Sequence, residues 1–341
     1  MTDKFKKNAL YVLVMIVLAG ITFYVLLKDC SMETLGAVLK TADFRFILLG
    51  LVFMLLFASC EAAIMRLLAR TWKGSISWGR AMQYSMAGFY FSSITPSSTG
   101  GQPMQLYYMV RDGIGGINSS FVLMVITAVY QMISLFYGLV MIVFHFAYIM
   151  NQPAIIKFLL AFGIFTKGIS VLFILTTLYC KPLVERIVRL IIYILVKLHM
   201  VKHPVELDEK VGNMVDEYSR GGVYLRKYPG VILKIIGYTF MQLTFLYTAS
   251  YCGCLSLGLG TVRMFDFISI QSIVNLAVSS VPLPGAVGAS ESSFLVLFRM
   301  YIPATQILPV MLLGRGISFY GFLIISGLVV LFLQFRQLRM D

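Results

Sequence analysis

Two segments of this chain interrupt apolar stretches with residues that cannot carry a helix onward through lipid. They are Ser92-Ser93-Ile94-Thr95-Pro96-Ser97-Ser98-Thr99-Gly100-Gly101-Gln102-Pro103 and Ser279-Ser280-Val281-Pro282-Leu283-Pro284-Gly285-Ala286-Val287-Gly288-Ala289-Ser290-Glu291. Both run through Ser-Ser and a β-branched residue into Pro and Gly. Non-helical backbone survives at membrane depth only where protein or water surrounds it, so both segments must sit inside a bundle. A matched pair of such breaks in two halves of a chain is the sequence pointer to a transport site. A shared breaker composition without a shared origin is the competing reading.

The setting is a membrane because 59% of the residues are hydrophobic and only 13% charged, whereas a soluble domain carries about a quarter charged residues. Ala9 to Leu27 has no small-residue cleavage site and reads as a retained signal-anchor helix. Further crossings are expected at Phe46 to Met65, Phe121 to Met150, Phe158 to Cys180, Ile235 to Leu257 and Ile307 to Phe335, each near the roughly 20 residues a span needs. The expectation is thus an all-α, polytopic, single integral-membrane domain over 1–341, with six full crossings. Two re-entrant or broken segments, 82–109 and 267–302, complete it as an inverted repeat. The five cysteines form neither a disulfide framework nor a metal spacing.

Basic residues orient the chain, because Lys and Arg accumulate on cytosolic loops. With a cytosolic N-terminus they gather at Lys4, Lys6 and Lys7, at Arg66, Arg70, Lys73 and Arg80, at Arg111, across 181–234, and at Arg336 and Arg339. The other side keeps mainly Lys28, Lys40, Arg45, Lys157 and Arg263. Both termini are then cytosolic, the first break opens to the cytosol and the second to the outside. Within 181–234, Arg186, Arg189, Tyr193 and Lys197 share one helical face, as in a cytoplasmic amphipathic loop drawn to anionic headgroups. A connector that snorkels its basic residues gives the same pattern. The net charge of +13 follows from this topology, and no soluble basic surface suggests nucleic acid.

Ionisable residues at membrane depth are costly and therefore paired or functional. Arg315 lies between Gly314 and Gly316 in the last span, where the glycines would let another backbone approach and the guanidinium suits a phosphate or carboxylate. An ion pair with Glu291 or Glu61 is the alternative. Glu291, with Ser290, Gly285 and Gly288 beside it, follows the second break and also suits a helix N-terminus. Thr99, Gly100, Gly101 and Gln102, with Gln105, offer amides and hydroxyls for an anion-receiving nest, or simply a turn capped by Ser and Thr. Secondary candidates are Glu61, near the cytosolic end of its helix and expected to snorkel or meet a loop, and Arg111 and Tyr108 at the cytosolic face. Lys167 and Arg299 are expected to reach an interface, and His145 to be a core histidine.

Thr95 to Pro103 with Tyr107-Tyr108 and Arg111-Asp112-Gly113, Val281 to Gly288 leading to Glu291, and Leu313-Gly314-Arg315-Gly316 together resemble the lysylphosphatidylglycerol synthase transmembrane-region family. The resemblance implies a flippase-like domain that moves aminoacylated phospholipids or lipid-linked saccharides between leaflets. Gln105 stands where many relatives carry an arginine, and the chain has no room after its last span for a soluble aminoacyl-transfer domain. The expected function is a lipid translocase of the cell membrane, a transporter and not an enzyme. It would need no cofactor or metal and would have anionic membrane lipids as partners, with oligomeric state left open. The alternatives are an ion-coupled secondary transporter of a small anionic solute, working through Glu291, and a non-transporting membrane partner.

Overall fold

The computed structural model of the chain describes residues 40–70, 74–179 and 227–340, with single positions at 38, 186 and 212. The expected span Ala9 to Leu27 lies outside the described residues, as does the 181–234 loop up to residue 226 apart from two isolated positions. Among the described residues all regular structure is helical. The order is α1 (Phe44–Ala69), α2 (Trp78–Ile94), a 3-10 turn (Pro96–Ser98), α3 (Gly101–Arg111), α4 (Gly116–Phe144), α5 (Phe146–Met150) and α6 (Ala154–Tyr179). It continues as α7 (Pro229–Ser256), α8 (Met264–Val278), a second 3-10 turn (Pro284–Ala286), α9 (Ala289–Leu297), α10 (Ile307–Arg315), a π turn (Gly316–Gly321) and α11 (Phe322–Met340).

Five rods are long and apolar enough to span a bilayer: α1, α4, α6, α7 and the continuous Ile307–Phe335. Their outward faces make this a multi-pass membrane protein. On α6, Ile155, Phe158, Phe162, Phe165, Ile169 and Leu172 are exposed, and on α11 so are Ile324, Leu328, Phe332 and Phe335. Such a stripe would be an aggregation surface in water but is at home in lipid. Two spans depart from expectation. The 121–150 stretch is cut at His145, whose φ of −114° and ψ of 26° leave the helical region, so α5 is a separate turn. The last span carries the π turn directly after Arg315, and hydropathy gives no sign of such a break.

The halves are packed head to tail. Asp43 caps α1 by accepting from the Arg45 amide at 2.9 Å, and its own N–H reaches the Ser256 carbonyl at the far end of α7 at 2.8 Å. Further along, Gly50 lies against Ala249 and Cys252, and Glu61 bonds Gln242. Positions that rise in α1 therefore meet positions that fall in α7, and the two helices run antiparallel. With little hydrophobic drive between helices in lipid, close approach of small residues supplies the packing. One such contact, glycine on glycine, joins α7 to α10: a Cβ on Gly253 would lie 2.5 Å from the Gly314 amide nitrogen. Gly314 thus plays the part expected of it, whereas a Cβ on Gly316 would meet nothing within 4 Å.

Each break becomes a helical hairpin. α2–α3 seats against α1, α4 and α11, and α8–α9 against α4, α6, α7 and α10. The two 3-10 turns at the tips touch each other. This arrangement brings together segments far apart in the chain, and it positions the site.

Candidate functional site

The two tips share one backbone. Thr95 (φ −110°, ψ 144°) and Leu283 (φ −115°, ψ 145°) are extended, Pro96 and Pro284 follow, and Ser97 (φ 51°, ψ 25°) and Gly285 (φ 57°, ψ 15°) turn left-handed. Ser98 and Ala286 also have positive φ, 55° and 50°, before helices restart at Gly101 and Ala289. Position by position the second tip repeats the first, which favours an internal repeat over chance composition. Three of these four left-handed residues carry a Cβ, at a cost of about 1–2 kcal/mol each. Strain of this kind persists where surrounding structure enforces it, as at ligand sites. Gly285→Ala is accordingly expected to lower the thermal midpoint, since its Cβ would fall 2.2 Å from the Phe319 ring. Ala286→Gly is expected to raise that midpoint, and equal midpoints for the two variants would remove strain from the account.

A cavity of about 710 Å³ lies at the meeting of the tips, lined by both turns and by α1, α2, α4, α7 and α8. Its wall at the second tip is cationic. Arg315 donates from Nη1 to Ser290 Oγ at 2.8 Å and from Nη2 to the Gly285 carbonyl at 3.1 Å. Its Nε lies 2.9 Å from Glu291 Oε1 as an ion pair, but off the hydrogen-bonding direction. The guanidinium also covers the Phe319 ring at 4.7 Å and the Tyr320 ring at 5.8 Å. Glu291 Oε2 accepts the Gly288 N–H at 2.6 Å, closing the first turn of α9, and Tyr320 donates to Oε1 at 3.4 Å. Both readings of Glu291 are thus realised at once, as helix cap and as partner of Arg315. Its carboxylate is spent there, and neither it nor Gly288 lines the cavity. A guanidinium has five N–H donors, so one N–H on each Nη of Arg315 is left by the bonds described.

At the first tip the wall is a carboxylate among neutral amides. Glu61, on α1, receives Gln105 Nε2 at 2.6 Å and Gln242 Nε2 at 3.3 Å. No ion pair reaches it among the described residues. This corrects the expectation that Glu61 snorkels or meets a loop: α2 and α3 cover it, and it faces the cavity. Gln102 Nε2 bonds Thr127 Oγ1. That contact is the counterpart of Arg315 with Ser290, because the offset that takes Pro96 to Pro284 also takes Gln102 to Ser290 and Thr127 to Arg315. The nest reading of Thr99, Gly100 and Gly101 gives way to the capped turn. The Ser98, Thr99 and Gly100 amides bond Thr95 and Pro96 within the tip, and Gly101 packs against Ser92 and the Gly88 carbonyl.

Arg111 and Tyr108 stand apart from this cavity. Arg111 stacks on the Tyr108 ring at 5.0 Å and lies 3.8 Å from Asp112, which accepts the Tyr84 hydroxyl at 2.6 Å beside a separate cavity of about 290 Å³. Lys167 does not reach an interface: it is buried, with Nζ 2.8 Å from Ser134 Oγ. Arg299 is exposed, as expected. His145 Nδ1 sits 3.1 Å from the Tyr301 hydroxyl, and burial raises that phenol above its ordinary pKa, so it stays a neutral partner. Residues not singled out in the sequence also line the main cavity, notably Gln131, Gln242, Gln271, Asn275 and Tyr130. Their signal was available, since amides inside spanning helices are rare for the same reason charges are.

A family model described as the lysylphosphatidylglycerol synthase TM region matches residues 11–326. No curated protein matches the chain.

Proposed function

This chain belongs to the lysylphosphatidylglycerol synthase TM-region family, and from that premise we propose that it is a lipid translocase, passing a phosphate-bearing headgroup through the cavity between the hairpin tips. One observation carries the reading: Arg315 lines the cavity at membrane depth, with one N–H on each Nη not engaged by Ser290 or Gly285. A planar fork of donors suits phosphate better than a point charge does. A volume of about 710 Å³ is in the range of small-ligand sites, enough for a headgroup while the acyl chains stay in the bilayer. In this mechanism Arg315 holds the phosphodiester, Ser290 and Gly285 fix the guanidinium, and Glu291 balances its charge when the site is empty. Gln102, Thr99 and the cavity amides replace headgroup water. The antiparallel halves supply two related tips, either of which can part from the other to expose the cavity to one leaflet. In this reading both termini lie in the cytosol, which the distribution of basic residues supports, the protein works in the cell membrane, and no aminoacyl transfer is assigned to the chain.

The test is leaflet exchange in vesicles. With purified protein reconstituted, a fluorescent anionic phospholipid confined to the inner leaflet should become accessible to an external quencher far faster than in protein-free vesicles. Uptake of a free phosphate ester should not change. Accumulation of the soluble anion without lipid exchange would instead select the secondary-transporter reading.

A further inference from the structure

Glu61 is the other charged residue in the cavity wall, and the bonds of Arg315 leave it out. Its neighbours come from four elements. α2 places Ser85 beside it, α3 Gln105, α4 Tyr130 and α7 Gln242. Tyr130 is the one titratable group among them, and none is basic. A carboxylate at this depth is expensive without a counter-charge, and two amide donors do not supply one. The surrounding oxygens point the same way. Gln242 and Tyr247 are each 1% exposed, and Gln242 Oε1 and the Tyr247 hydroxyl have no hydrogen-bond partner. Gln131 Oε1 and Gln271 Oε1 are likewise unpartnered, and all four residues line the same cavity as Glu61. Oxygens with no donor on them, in the cavity that Glu61 also lines, make a wall suited to a positive ligand.

We propose that Glu61, with Gln242, Gln131 and Tyr247, binds a monovalent cation, a proton or sodium, whose passage drives the lipid movement. The coupling rests on the translocase reading above, while the binding site stands on its own geometry. Phosphate and cation then occupy separate walls of one cavity, phosphate at Arg315 and cation at Glu61. The cation neutralises Glu61, which would otherwise repel an anionic headgroup. At one-to-one coupling, a tenfold cation gradient sustains about a tenfold lipid ratio between leaflets, because both sides obey the same logarithmic free energy.

Two measurements separate the parts. In detergent, the thermal midpoint of the full chain is followed against sodium, with choline as replacement, and separately against pH. Wild type should respond in one series, and Glu61→Gln should be flat in that series. Gln105→Arg places a fixed cation beside the carboxylate and should be equally flat, which keeps the test decisive if Glu61→Gln does not fold. In vesicles with the membrane potential clamped, a tenfold sodium gradient or a one-unit pH gradient is imposed in turn. The responsive cation should polarise a fluorescent phospholipid about tenfold between leaflets, and Glu61→Gln should bring the ratio to about one. Wild type and Glu61→Gln responding alike in both thermal series, with exchange intact and unpolarised, overturns the inference and leaves the translocase reading standing. No exchange at all overturns the translocase reading, and the thermal series then decides the cation site alone. Dependence on Glu61 confined to probes with a free amine, with both cation series flat, also overturns the inference by giving the carboxylate to the substrate.

Discussion

Arg315→Ala is expected to abolish leaflet exchange and to cost about 3–5 kcal/mol of stability, the usual penalty for breaking a buried ion pair from one side. The guanidinium and its partner are only 15% and 19% exposed, so the Glu291 carboxylate would be left at depth with the Gly288 amide and the Tyr320 hydroxyl alone. Loss of exchange could then reflect nothing more than a damaged fold. The double variant Arg315→Met with Glu291→Gln resolves this. It removes both charges, fills the guanidinium volume, and keeps an acceptor for the cap of α9. Unfolding midpoints should recover toward wild type while exchange stays absent. Recovery of exchange in the double variant would reduce Arg315 to a structural residue. Arg315→Lys adds a finer reading: the charge stays but the fork to Ser290 and Gly285 is lost, so exchange should fall well below wild type with smaller loss of stability.

The second large effect is one of packing, and it is asymmetric. At the crossing of α7 and α10, a methyl on Gly253 would sit 2.5, 2.8 and 2.9 Å from three backbone atoms of Leu313 and Gly314. Backbone cannot rotate aside, so the helices must separate. Gly253→Ala should cost about 1–3 kcal/mol, as overpacking does. It should also weaken exchange, because it moves the helix that holds Arg315. On the facing side, a methyl on Gly314 would come no closer than 3.1 Å to the Ser250 carbonyl. Gly314→Ala should therefore be the milder change by a clear margin. Equal thermal midpoints for the two variants would mean that the helices cross elsewhere.

What could be read in the sequence was whatever a short window contains. Breaks at Pro96 and Pro284 follow from residues that cannot continue a helix, and the spans follow from runs of apolar residues longer than a bilayer requires. Arg315 and Glu291 could be named as partners because charge at depth has few resolutions. The surroundings of Glu61 could not be read. Gln105 and Gln242 lie far from it in sequence, and an acid near one end of an apolar helix looks the same whether it turns toward solvent or inward. The importance of Gly253 was equally hidden, since a glycine among Cys252 and Cys254 gains meaning only when another backbone passes it. Of the two glycines flanking Arg315, only Gly314 makes the close contact that both could have made. The loop 181–234 stays an expectation from charge pattern for most of its length.

The π turn from Gly316 to Gly321 bears on all of this. A π turn holds one residue more than an α-helix needs for the same advance, and one residue of α-helix corresponds to about 100° of rotation. Wound as ordinary helix from α10 into α11, the same amino acids would present the arginine to a different neighbour. Ser290 and Gly285 would then lack their donor, and Glu291 its cation. The positive end of the cavity is therefore a property of winding number as much as of composition. A single deletion at Gly316, Ile317, Tyr320 or Gly321, none of which lines the cavity, would alter the site while leaving every lining residue in the chain.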